Sequence, residues 1–123
     1  MNNVIISGKL KDDFKVNAVG DKKVAKATLI VDRGMSKDKK DEAKAKGQST
    51  ADFPQIEIWG SEAKINFLTT NAKKGDKILV KGSMHTDSYN NKEGKKVYTT
   101  SINVSEFEVE FKKVESKEED YDL

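Results

Sequence analysis

Apolar and polar residues alternate along much of this chain, which predicts strands, and one stretch changes to a helical spacing. Val4–Leu10 (VIISGKL) reads as an opening strand, with Gly8 as a bulge or a point of close backbone approach. Lys11–Val19 is polar and mixed and runs into the turn Gly20-Asp21-Lys22. Val24–Asp32 alternates cleanly. Ala25, Ala27, Leu29 and Val31 form one row, small enough for the inside of a tight barrel, and Val24, Lys26, Thr28 and Ile30 form the other. In Ala51–Gly60 (ADFPQIEIWG), Pro54, Ile56, Ile58 and Gly60 share one side, and Phe53, Gln55, Glu57 and Trp59 share the opposite one.

Over Ser61–Ala72 the period lengthens. Ile65, Leu68 and Ala72 take helical spacing, Ser61 stands where an N-cap belongs, and Glu62 complements the positive end of the helix dipole. Lys73-Lys74-Gly75-Asp76 supplies cations and then a stop. Lys77–Tyr89 returns to alternation, with Ile78, Val80, Gly82 and Met84 facing in and Lys77, Leu79, Lys81, Ser83, His85, Asp87 and Tyr89 facing out. Asn90–Lys96 is a hairpin turn in which Gly94 can take positive φ. Val97–Val104 follows as a strand, and Phe107, Val109 and Phe111, alternating with glutamates, make a further strand or its continuation. The order strand, strand, strand, helix, strand, strand predicts an all-β fold with one short helix: a five-stranded Greek-key OB barrel plugged by that helix.

Arg33–Thr50 (RGMSKDKKDEAKAKGQST) carries no sustained apolar period and holds six cations against three anions. It reads as a solvated basic loop rather than a short helix around Lys39–Lys46. Such a loop between two strands can close over an anionic strand.

Composition narrows the possible chemistry. A chain of 123 residues without cysteine is one domain, with neither disulfides nor thiolate ligands. Its single histidine, His85, has no second histidine to join in a metal set and pairs more naturally with Asp87 on the surface, so no metal, cofactor or catalytic residue is expected. The longest apolar runs are too short for a membrane span or a signal peptide, which leads to the expectation of a soluble cytoplasmic protein. Charged residues make up 36% of the chain for a net charge of only +2. The balance is uneven: Lys112–Leu123 holds three lysines and five acids, leaving +4 on residues 1–111. A mildly basic body with an acidic end suits a polyanion-binding domain with a separate tail, although solubility alone would produce a similar pattern.

The outward row of ADFPQIEIWG is the sharpest candidate. Phe53 and Trp59 stand about 20 Å apart at strand rise, with the polar pair Gln55 and Glu57 between them. Flat rings on a wet sheet suit base stacking; the competing reading is satellite core at a strand end. Tyr89 beside its turn is open to stacking or to hairpin packing, and Tyr98 shares a row with Ile102 and Val104, which favours packing. Three classes follow: a single-stranded DNA-binding module, an OB-fold RNA or oligosaccharide binder, and a small nuclease. No convergence of carboxylates or of a histidine base supports the nuclease.

Four segments carry a resemblance to the bacterial and phage single-stranded DNA-binding protein family. MNNVIISGKL resembles its opening strand and VAKATLIV its second, while ADFPQIEIWG with EAKINFL resembles its third strand and helix. GDKILVKGSMHTDSY and EGKKVYTT are similar to its last two strands and their hairpin. The resemblance implies an OB-fold single-stranded DNA-binding domain over residues 1–111 and an acidic flexible tail over residues 112–123. Phe53, Trp59, Tyr89 and Tyr98 fall on aromatic positions of the family, and Lys26 and Thr28 on the row that nucleic acid crosses, with Arg33, Lys77 and Lys81 as further phosphate contacts. The implied role is protection of single-stranded DNA in replication, recombination or repair, with little sequence preference and no enzymatic activity. The implied assembly is a homodimer or homotetramer through Val4–Ile6, and the tail residues Asp120, Tyr121, Asp122 and Leu123 imply recruitment of replication or recombination proteins. This chain departs from the family pattern in four places, one of them just after the strand-three aromatic, where Ser61 or Glu62 replaces a lysine that members often carry. His85 and Asp87 stand where members carry basic residues, the basic loop lacks the family aromatic, and the tail lacks the usual proline-phenylalanine ending.

Overall fold

A computed structural model describes residues 1–112. The tail residues Asp120, Tyr121, Asp122 and Leu123 lie outside them. In chain order the elements are β1 (Val4–Leu10), β2 (Lys15–Val19), β3 (Lys22–Asp32), α1 (Lys37–Ala45), β4 (Ala51–Asp52), β5 (Gln55–Gly60), α2 (Glu62–Asn71), β6 (Lys77–Asn90) and β7 (Lys96–Phe111).

The strand order β1-β6-β7-β5-β3 closes on itself, because β3 also pairs with β1 at Lys9↔Ile30 and Leu10↔Leu29. All neighbours are antiparallel except β5 and β7, which pair in parallel at Ile56↔Ile102. β2 continues the work of β1 along β3, and β4 is the start of β5 set off by Phe53-Pro54. The seven segments therefore reduce to five barrel strands in the connectivity of the OB fold.

Inward rows fill the barrel: Ala25 and Leu29 from β3, Ile56 and Ile58 from β5, Ile78 and Val80 from β6, Ile102 and Val104 from β7. α2 closes one end with Ile65, Leu68 and, just past its last turn, Ala72. Its start is capped as its sequence demands, with Ser61 Oγ accepting the Lys64 N–H at 3.3 Å. Gly8 is a point of close approach: a Cβ there would stand 2.7 Å from the Ile30 carbonyl oxygen. At the far end, Lys112 Nζ donates to the Asn71 carbonyl and to the buried Asp76 carboxylate at 2.9 Å, so the chain is held to the barrel up to that residue.

Four expectations are corrected. Residues 37–45 form a helix, so the fold has two rather than one. Local terms hold α1 in place of an apolar stripe: Ser36 Oγ accepts from Lys39 N–H, Asp38 lies in the first turn, and Glu42 and Lys46 pair at 2.9 Å. The Lys40 ammonium fastens the helix to Asp32 at 2.8 Å. That bond first, and the Gly34 N–H second, hold the Asp32 carboxyl below its ordinary value. Next, the polar stretch before Gly20 contains β2, all of whose residues are exposed, so burial imposes no apolar alternation on it. Val24 lies on the outward row of β3 yet is buried, flanked by Asn17 on β2 and Trp59 on β5. Finally, Met84 follows the inward parity of β6 but is 51% exposed, because past Gly82 the β6–β7 ribbon runs beyond the barrel. The side chain of Asn2 clamps the ribbon there, accepting from Met84 N–H and donating to its carbonyl, both at 2.8 Å.

Candidate nucleic-acid interface

Cross-strand register assembles one continuous outward face. Lys15 on β2 neighbours Lys26 on β3, which neighbours Glu57 on β5, then Asn103 on β7 and Ser83 on β6. One row to one side lie Asn17, Val24 and Trp59, and to the other Thr28 and Gln55. Pairing keeps one register on both sides of the break at Phe53-Pro54, from Thr28↔Gln55 to Val31↔Asp52, so Phe53 stands opposite Ile30. The Leu29 N–H to Pro54 carbonyl bond at 2.9 Å spans that break. Lys9 pairs with Ile30 and Lys77 with Lys9, which extends the Phe53 row into two cations.

Phe53 is 52% exposed and Trp59 37%, so both rings look out of the barrel from the two ends of one row. Lys11 Nζ lies 5.6 Å from the centroid of the Phe53 ring. An open groove between the rings is lined by Lys15, Lys26, Thr28, Gln55 and Tyr89, with Ser101 on its wall. Asp12, Asp13 and Glu57 line it too, so its charge is mixed. Asp13 is engaged elsewhere, its carboxylate accepting the Lys74 N–H at 2.6 Å.

The remaining candidates are distributed differently. Tyr89 faces this groove, but Tyr98 belongs to the opposite side of the β6–β7 ribbon, 65% exposed and with Lys96 Nζ 5.7 Å from its ring centroid. Arg33 is committed to the loop: Nε and Nη2 both donate to Asp52 Oδ1, at 3.1 and 2.9 Å, and Nη1 donates to the Ser49 carbonyl. The hydrogen bonds to Asp52 raise the affinity of this guanidinium for its proton. Lys77 reaches the Phe53 row through Lys9, and its ammonium also lies over Phe111. Lys81 lines a separate depression with Ile5, Leu79, Glu106 and Glu108. His85 Nε2 and Ser83 Oγ lie 3.1 Å apart as hydrogen-bond partners.

Sequence reasoning missed Lys9, Lys11 and Lys15. The signal for Lys15 was the turn at Gly20, which marks the residues just before it as the first arm of a hairpin with the strand that follows.

The sequence matches the Single-strand binding protein family over residues 1–111. It is 31% identical over 110 residues to Single-stranded DNA-binding protein 1 of Streptococcus pyogenes, a match covering 89% of this chain and 78% of that protein. It is 35% identical over 106 residues to Single-stranded DNA-binding protein 3 of Clostridium acetobutylicum, covering 83% of this chain and 65% of the relative. Against a Streptococcus mutans relative the match is 30% identical and spans 62% of its length, so this chain falls short of two thirds of some relatives. Among solved structures, a mitochondrial single-stranded DNA-binding protein from S. cerevisiae superposes with a TM-score of 0.65 at 18% identity, over 90% of this chain and 96% of that one.

Proposed function

From the premise that this chain belongs to the single-strand binding protein family, we propose that the face between Phe53 and Trp59 binds single-stranded DNA with little sequence preference. The observation that carries this reading is the pair of outward rings at the two ends of one strand row, with lysines on the rows beside it. Unpaired bases have unsatisfied faces, and stacking on a protein ring contributes about 1–3 kcal/mol per base. Lys11, Lys15 and Lys26 meet phosphates and release condensed counterions, so affinity falls as salt rises. A duplex has already stacked its bases internally and offers nothing to the rings. The protein acts by binding, not by turnover, and protects single strands during replication, recombination or repair.

Assembly follows from β1. Residues 4–9 of β1 pair with β6, but on the other side only Lys9 and Leu10 pair with β3. Among the described residues the ladder edge over residues 4–8 is thus open to a second copy, with Ile5 exposed beside it. A homodimer or homotetramer joined along β1 satisfies that edge. The acidic end with Asp120, Tyr121, Asp122 and Leu123 recruits replication or recombination proteins.

Trp59 is the only tryptophan, so its fluorescence reports the site directly. Titration with oligo-dT should quench it at low salt, with a duplex of equal length far weaker. Light scattering on the same samples should give at least two copies per particle. Equal quenching by duplex and single strand overturns the stacking reading, and stronger quenching by oligo-U reassigns the face to RNA.

A further inference from the structure

Glu57 occupies the middle of the face just described. Its row runs Lys15, Lys26, Glu57, Asn103, Ser83 across four strand pairings. Its side chain is only 20% exposed and reaches two groups that the binding face needs. Glu57 Oε1 lies 3.5 Å from Lys26 Nζ, and Glu57 Oε2 accepts from the Trp59 indole N–H at 3.4 Å. One carboxylate therefore neutralises the cation nearest the centre of the groove and tethers the ring at its end.

We propose that Glu57 is an affinity-limiting carboxylate, an internal anion that holds Lys26 and competes with the phosphate of an incoming strand. The proposal rests on the single-stranded DNA reading and adds to it which residue sets the strength of binding. A phosphate that approaches Lys26 has to replace Glu57 as its partner, and it does so against the repulsion of a carboxylate a few ångströms away. Both effects weaken binding, and both act most strongly at low ionic strength, where screening is least. Asp12 adds a further negative charge to the same groove, in which Lys15 is the other cation. The consequence is a protein that lets go of its strand more readily than its rings alone would allow.

The test is Glu57→Gln in the full chain. Glutamine keeps the length of the side chain and an oxygen to accept the indole N–H, but it carries no charge. Oligo-dT binding, followed by Trp59 fluorescence, should tighten about tenfold at low salt. The slope of log K against log salt should steepen by about 0.7, the value for one added phosphate contact on a single strand. Lys26→Gln should weaken binding in both backgrounds, and several-fold more in the Glu57→Gln background than in the native one, a coupling that loss of structure alone does not produce. Affinity and salt slope equal to the native values, or weaker binding by Glu57→Gln, overturn the proposal while native quenching by oligo-dT leaves the underlying reading intact. If the native protein itself fails to bind oligo-dT, both fall together.

Discussion

Replacing Trp59 by alanine is expected to weaken oligo-dT binding about tenfold or more, and Phe53→Ala by a similar factor. The magnitude follows from stacking worth about 1–3 kcal/mol per base, with about 1.4 kcal/mol for each factor of ten. The two rings are six positions apart on one extended stretch, about 20 Å at strand rise, with Lys11 over one and Glu57 on the indole N–H of the other. Their losses should therefore add, so the double variant should bind about a hundredfold more weakly than the native chain. Phe53 is the cleaner probe, since it lies in the break between β4 and β5 and is half exposed, with Lys11 over its ring. Trp59 shares its row with the buried Val24, so its removal also opens apolar surface. Anisotropy of a labelled oligonucleotide reads affinity without the tryptophan, and a thermal melt of each variant shows that the barrel survives. Native affinity in a folded double variant removes the rings from the mechanism.

The largest effect on stability should come from Gly82→Ala. Gly82 is buried where the pairing of β6 with β7 shifts register, opposite Val104. A Cβ at this position would stand 2.0 Å from the Asn103 carbonyl oxygen and 2.9 Å from the Val104 Cα. Those neighbours are backbone atoms of the longest strand pairing in the barrel and have no rotamer to give way. Overpacking of this kind costs about 3 kcal/mol or more, which for a domain of this size lowers Tm by more than about 10 °C. The damage should reach the proposed binding face as well, because Asn103 neighbours Glu57 across the parallel pairing. Ser83→Ala, one residue on, is the control that should melt near the native protein. A Gly82→Ala protein that melts with the native chain contradicts the close approach of the two strands.

Period made the interior legible. Ala25 and Leu29, Ile56 and Ile58, Ile78 and Val80 alternate because one side of each strand meets the core, and Ile65, Leu68 and Ala72 are spaced by the turn of α2. Where burial does not constrain the chain, that signal is missing. β2 is exposed along its whole length and α1 buries only Ala43, so neither has an apolar row to read. Partners distant in sequence were equally silent. Arg33 stands in a basic stretch that suggests phosphate binding, yet Asp52, 19 residues on, takes its guanidinium. The parity of ADFPQIEIWG placed Phe53, Glu57 and Trp59 on one side, but only the β3–β5 register shows that Glu57 neighbours Lys26. Tyr89 and Tyr98 have opposite parities on paired strands, and both are accessible because the ribbon runs past the barrel.

The most direct measurement is a map of where a bound base lies. Oligo-dT carrying 5-iodouracil, irradiated in complex with the full chain and digested, reports the side chains in van der Waals contact with base faces. Stacking on this barrel face predicts adducts on Phe53 and Trp59, with Tyr89 as the next most frequent. Adducts confined to Tyr98, Phe67 or Phe111, with Phe53 and Trp59 unmodified, would contradict it.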